Sequence, residues 1–262
     1  VDASGHAAIR AAGLATQRST IVAWSRASGR PLTDAISWQD RRNAAWLARL
    51  APVVQRVREI TGLPLSPHYG ASKLRWCLDH VPGVQRAALA GDLALGPLSS
   101  FLVSRLTDER PHTVDPANAS RTLLYDTGTL DWSPELLRLF DLAAAQLPAC
   151  VPTRHAFGHV SCAGRRVPLS ACTGDQSAAA FAFGRPEPGG ALINVGTGAF
   201  VQRVAPDGAS LPDGILRSVL CADEDGVLIR HEGTVNGAGS ALDWLRDRVA
   251  LDVDRALAAL AA

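Results

Sequence analysis

The chain has 262 residues, above the roughly 100–200 of a typical domain, so one large or two moderate domains are expected. With 47% hydrophobic and 19% charged residues it reads as globular, and 26 Lys and Arg against 25 Asp and Glu leave no electrostatic case for nucleic acid or an acidic membrane surface. Its 5 cysteines, odd in number and without a C-x-x-C pair, argue against a disulfide framework or a thiolate zinc site.

Reduced thiols in a cytoplasmic protein are the expectation, and no run approaches the ~18–20 apolar residues of a membrane helix. No Met occurs and the chain begins at Val1, so the sequence reads as processed, truncated or incomplete, with its start expected upstream. Residues 9–16 and 20–24 (TIVAW) are strand-like, and the SRASGR turn followed by 31–38 predicts an antiparallel return. Apolar positions at three- and four-residue spacing predict one long amphipathic helix over 39–60, with a break expected near Pro52. Helices are predicted at 72–80, 84–90 and 98–106, and Ser133-Pro134-Glu135 caps another ahead of LLRLF. Beyond Pro152 short strands dominate (RVPLSAC, ALINV, AFVQRV, VLIR), and 241–250 closes as a helix. The Pro- and Gly-dense RPEPGG places a domain break near Gly184, giving segments 1–184 and 185–262.

Two segments carry the chemistry. In ACTGDQSAAAFAFG a strand-like run delivers Thr173-Gly174-Asp175-Gln176 into small residues suited to a helix start, and an acid at a strand end often faces a cleft. In INVGTGAF the turn Gly196-Thr197-Gly198 allows backbone amides and a hydroxyl to approach phosphate oxygens. Either alone is weak, since G-x-G turns occur in many hairpins. His155 and His159 have the spacing of helical zinc ligands, but Pro152 and Gly158 speak against a helix, so no metal site is expected there.

Taken together, TQRSTIVAW, SWQDRR, SKLRWCLDH, DPANASRTLLYDTGTLDW, TGDQSAA and VGTGAF resemble, in order and spacing, motifs of the FGGY carbohydrate kinases, most of all the glycerol kinase group. The resemblance implies an α/β, actin-like (ribonuclease-H-like) fold of two domains around a cleft. Segment 1–184 would be the substrate-binding N-terminal domain, lacking its start, and 185–262 the first part of the nucleotide-binding domain. It implies ATP with Mg²⁺ as cofactors, a small polyol or sugar as acceptor, no nucleic-acid or membrane partner, and assembly with further copies left open. Asp175 matches the general base. Arg18 matches the residue that bonds substrate hydroxyls, Trp38 and Phe200 the apolar walls, and Gln176 a neighbour of the base. Gly196, Thr197 and Gly198 match the phosphate turn, and Gly239 and Asp243 positions beside bound ADP. Core packing for Trp38, a surface ion pair for Arg18 and a solvated helix position for Asp243 are the plainer readings.

At substrate-binding positions the chain departs from the group, with Ser19 where a Glu is usual and His68 where a Tyr is usual. Both changes touch polyol recognition, so the acceptor stays open between glycerol and a pentulose such as xylulose or ribulose. The group's first phosphate motif is expected upstream of Val1, and its chain continues past Ala262. A second reading is therefore a non-catalytic, sugar-binding relative.

Overall fold

The computed structural model describes residues 9–162, 164–195, 199–206, 208–235 and 237–249, together with 252, 255 and 258. Its first strands are β1 (Ala12–Thr16) and β2 (Ile21–Ser25). β2 is buried throughout, as an apolar run covered on both faces must be. The return over 31–38 is reduced to isolated bridges, Ile21 with Ile36 and Trp24 with Pro31, because Pro31 has no N–H to extend the ladder.

The single helix expected over 39–60 is corrected to α1 (Ala44–Ala48), a 3₁₀ turn (Ala51–Val53) and α2 (Val54–Thr61). Asn43 sits in the left-handed region at φ 67°, which keeps 39–43 out of the helix, and Pro52 breaks the ladder. α2 stops at Gly62 (φ 74°), whose N–H donates to the Arg58 carbonyl.

There follow α3 (Gly70–His80), α4 (Pro82–Leu89), β3 (Leu93–Pro97) and α5 (Leu98–Leu106). β3 supplies the real antiparallel partner of β2, with Ile21 opposite Pro97 and Ser25 opposite Leu93. Leu47, Val57, Leu63, Leu74, Leu95 and Phe140 form the main core between this pair and the helices.

Next come β4 (Thr113–Val114), α6 (Pro116–Ala119), β5 (Tyr125–Asp126), β6 (Asp131–Trp132), α7 (Pro134–Leu139) and β7 (Ala149–Cys150). Asp115 caps α6 by accepting from the Asn118 N–H, and Ser133 caps α7 by accepting from that of Leu136.

β8 (His159–Cys162), β9 (Arg165–Gly174) and α8 (Asp175–Ala180) complete this part. The strands form a sheet in the order β1-β9-β8, with β1 parallel to β9 and β8 antiparallel to it. β8 was not predicted, and it places His159 on a strand, away from the helical spacing of a zinc pair.

A second, antiparallel sheet in the order β10-β11-β13-β12 follows, from β10 (Ala191–Val195), β11 (Ala199–Val204), β12 (Leu216–Asp223) and β13 (Gly226–Val235), and α9 (Gly239–Val249) comes after it in the chain. β12 was also unpredicted. It joins the sheet to the preceding elements, since Arg217 N–H donates to the Gly62 carbonyl (2.9 Å) and Thr153 N–H to that of Ala222 (2.8 Å).

Candidate functional site

Parallel pairing makes β1 and β9 end together, with Thr16 opposite Gly174. The residues that follow, Gln17-Arg18 and Asp175-Gln176, therefore leave the same sheet edge side by side, the usual place for a ligand in such sheets. From the second sheet β11 brings Phe200 and β13 brings Glu232, while Trp38, His68 and Arg121 close the remaining wall of a cavity of about 180 Å³. That is below the roughly 300–1,000 Å³ of drug-sized sites and suits a ligand of few heavy atoms.

Three of those wall segments share one anchor. Lys73, on α3 and fully buried, donates from Nζ to the carbonyls of Ser19 (2.9 Å), Ser37 (2.9 Å) and His68 (2.8 Å). These carbonyls adjoin Arg18, Trp38 and His68. Burial lowers the Lys73 ammonium to about 8. His68 is pushed down to about 4, by burial first and then by Arg121 and Lys73, so at neutral pH its ring is uncharged and offers one donor and one acceptor nitrogen.

Glu232 is the hub of an ion cluster that joins the two sheets. Its Oε1 accepts from Arg121 at 3.3 Å, and its Oε2 meets Arg18 at 3.5 Å and Arg230 at 3.2 Å. Burial alone would raise this carboxyl, but Arg121 and Arg230 outweigh it and hold it below the usual carboxylate range. Arg230, buried behind the wall, also donates to Gln202 Oε1 (2.7 Å) and Ser218 Oγ (3.1 Å).

Asp175 is the first residue of α8, and its Oδ1 accepts from the Gln176 N–H at 2.7 Å. Burial raises its carboxyl above the ordinary aspartate value. A carboxylate in this setting can orient a ligand hydroxyl and take its proton. Arg18 reaches the pocket by crossing Gly174: a Cβ there would stand 2.5 Å from Arg18 Cδ and 2.6 Å from Cγ. Gly174→Ala is therefore expected to displace the Arg18 side chain, weakening ligand binding by roughly tenfold at a stability cost of about 1–3 kcal/mol. Calorimetry and thermal unfolding check this, and unchanged affinity would remove Arg18 from the binding wall.

Of the residues singled out from sequence, Arg18, Trp38, His68, Asp175, Gln176 and Phe200 meet at this pocket. Ser19 does not line it: its backbone is left-handed (φ 64°), and its buried hydroxyl donates to the Arg121 carbonyl at 3.3 Å. Gly196, Thr197 and Gly198 lie outside the described residues. Gly239 opens α9, and Asp243, on the same helix, pairs with Arg246 at 2.6 Å; neither lines this pocket. Sequence reasoning missed Arg121, Lys73 and Glu232. The first two stand inside SRTLLY and SKLRW, where nothing local signals a role, and Glu232 stands two residues beyond the strand-like VLIR, in a stretch the sequence reading left unassigned.

No group of three or more His, Cys, Asp or Glu able to hold a metal ion occurs among the described residues. No helix among them is long and apolar enough to cross a membrane.

A model of the N-terminal domain of the FGGY family of carbohydrate kinases matches residues 4–182. The glycerol kinase of Geobacter sp. (strain M21) is 40% identical over 245 residues, covering 91% of this chain and 49% of its own. That of Alkalilimnicola ehrlichii is 41% identical over 253 residues, covering 93% and 50%. The chain thus spans about half the length of the curated relatives it matches. Among solved structures, Plasmodium falciparum glycerol kinase with ADP superposes with a TM-score of 0.85 at 26% identity, covering 94% of this chain and 50% of that one. Xylulose kinase from Rhodospirillum rubrum gives 0.76 at 21% identity, covering 95% and 51%, a likeness of fold. The fold is accordingly the actin-like one over the part the chain covers.

Proposed function

The chain belongs to the FGGY family of carbohydrate kinases, and from that premise we propose that it serves ATP-dependent phosphorylation of a hydroxyl of a small polyol or sugar, with Asp175 as general base. The observation that carries the reading is the convergence of Asp175 with Arg18, Gln176, Trp38 and Phe200 on one small cavity. Phosphoryl transfer passes through a loose transition state, so positioning and electrostatics supply most of the acceleration. Asp175 would align the attacking hydroxyl and accept its proton. Arg18 and Gln176 would hold further oxygens of the acceptor, while the Trp38 and Phe200 rings cover its carbon skeleton and exclude water.

In this reading the chain divides near Gly184: 1–184 supplies most of the acceptor wall, and 185–262 supplies the nucleotide side together with Phe200 and Glu232 of that wall. On the nucleotide side Gly196, Thr197 and Gly198 and the region of Gly239 and Asp243 would meet ATP. Mg²⁺, commonly held by one or two carboxylates together with substrate phosphates, would neutralise charge on those phosphates. All five cysteines are free thiols, which supports a reducing, cytoplasmic setting.

The test is ADP release by the full-length gene product with Mg-ATP across glycerol, erythritol, xylulose and ribulose. Turnover with at least one acceptor is expected; none with any of them would overturn the kinase reading in favour of a sugar-binding relative.

A further inference from the structure

Behind the cavity wall a relay of side chains runs from a buried cation to the neighbour of Asp175. Gln202 on β11 and Arg230 and Glu232 on β13 project from one face of the second sheet, since the register sets Gln202 opposite Glu232 and Val204 opposite Arg230, and residues two apart along a strand share a face. Gln202 and Arg230 are buried and stand outside the cavity lining, which Phe200, two residues before Gln202, does reach. Three groups hold Arg230 in place. Its Nη1 donates to Gln202 Oε1 at 2.7 Å and its Nη2 to Ser218 Oγ at 3.1 Å, and Nη2 meets Glu232 Oε2 at 3.2 Å.

Donor chemistry gives this relay a direction. A guanidinium donates and never accepts, so the Gln202 atom that faces Arg230 is the oxygen. Gln202 Nε2 is then left for Gln176 and donates to its Oε1 at 3.3 Å. With its oxygen taken, Gln176 offers the cavity only its NH₂, and its side chain is partly exposed there beside Asp175. Turning the Gln176 amide over would set NH₂ against NH₂ and orphan the buried Gln202 donor, which would then bear its full desolvation penalty.

We propose that Gln202 and Arg230 are positioning residues of the acceptor site: they lock the Gln176 amide with its nitrogen toward the cavity, so that a ligand oxygen seated there is held by a lone pair. A hydroxyl in that seat must then turn its own proton to another partner. The relay sets how the acceptor is oriented and not its class, since hydroxyl and carbonyl oxygens both carry lone pairs. The inference rests on the reading of Asp175 and Gln176 as part of the acceptor wall.

A double-mutant cycle tests it. Gln202→Glu keeps the shape of the side chain, but ionised against Arg230 it has no hydrogen for Gln176, whose amide must turn to donate to the new carboxylate and present its oxygen to the cavity. Gln202→Leu removes the constraint without imposing the opposite one. Affinities for glycerol, erythritol, xylulose and ribulose are read by calorimetry on the full-length protein without nucleotide, and thermal unfolding checks that each variant is folded. For the acceptor that binds best, affinity is expected to fall about threefold in Gln202→Leu and about tenfold or more in Gln202→Glu. In a Gln176→Met background, where no amide is left to orient, the same Gln202 substitutions are expected to change affinity by less than about twofold. Should Gln202→Glu not fold, Gln202→Leu completes the cycle. Equal losses in both backgrounds would make Gln202 a structural residue acting apart from Gln176, and overturn the inference. Unchanged affinity in the Gln202 variants, or no binding by any of the four probes, overturns it as well. Because binding is read without turnover, the expected pattern in a protein that releases no ADP would discard the kinase reading and leave the relay standing.

Discussion

Asp175→Asn is expected to lower kcat by about 10²–10⁴, the usual contribution of a positioned general base, or roughly 3–5 kcal/mol of transition-state stabilisation. The amide keeps the shape of the side chain and can still accept from the Gln176 N–H, so the acceptor KM should stay within about threefold. The same residue sets a pH dependence whose sign is fixed. Burial raises the Asp175 carboxyl, and the base works only when ionised, so kcat/KM of the wild-type protein should fall as pH drops through a value above the ordinary aspartate pKa of about 3.9. The variant should lack that acid limb. ADP-release kinetics across pH check both statements, and undiminished turnover in the variant would exclude Asp175 as the base.

Lys73→Met is expected to act on the acceptor alone. Methionine replaces the aliphatic stem but no N–H, leaving the Ser19, Ser37 and His68 carbonyls, now bonded at 2.8–2.9 Å, without their partner. Orphaning buried acceptors costs about 1–3 kcal/mol each, partly recovered by entering water, so a stability loss of about 3 kcal/mol or more follows. With three wall segments released, the acceptor KM should rise about 10–100-fold while the nucleotide KM does not move. In the wild-type protein the acceptor KM should also climb as pH passes about 8, where the Lys73 ammonium loses a proton and two N–H groups must serve three carbonyls. Equal losses for acceptor and nucleotide, or a stability loss with both KM values unchanged, would reduce Lys73 to a core residue.

Local signals in the sequence sufficed for elements whose geometry is local. The Ser133-Pro134-Glu135 start of α7 and the run 98–106 of α5 stand where the pattern places them, because a cap, a first-turn proline and a 3.6-residue period act within one or two turns. The partner of β2 was not legible, since Pro97 and Leu93 lie far along the chain from Ile21 and Ser25 and nothing in either segment names the other. The break of 39–60 was half legible: Pro52 is a local signal, whereas a left-handed Asn43 is a consequence of packing, its side chain donating to the Ser72 carbonyl at 2.8 Å. For the site, motif order led to Asp175, Gln176, Arg18 and Trp38. Arg121 and Glu232 escaped because their meaning arises only when two sheets bring opposite charges into one buried cluster, and Ser19 misled because its backbone turns the hydroxyl away from the cavity.

The pairing of β1 with β9 also orders events during synthesis. Ala12 has Leu169 as its partner and Thr16 has Gly174, so β1 cannot be built in until this neighbour, far later in the chain, has left the ribosome. At about 5–20 residues per second that interval is on the order of ten seconds or more. Through it the β2–β3 pair and its helices can pack by themselves, while β1 presents an open backbone edge. Nascent chains stalled before residue 165 should therefore be the species that chaperones hold and proteases cut at 12–16, and the site can form only after Asp175 emerges, in the same step that closes this edge.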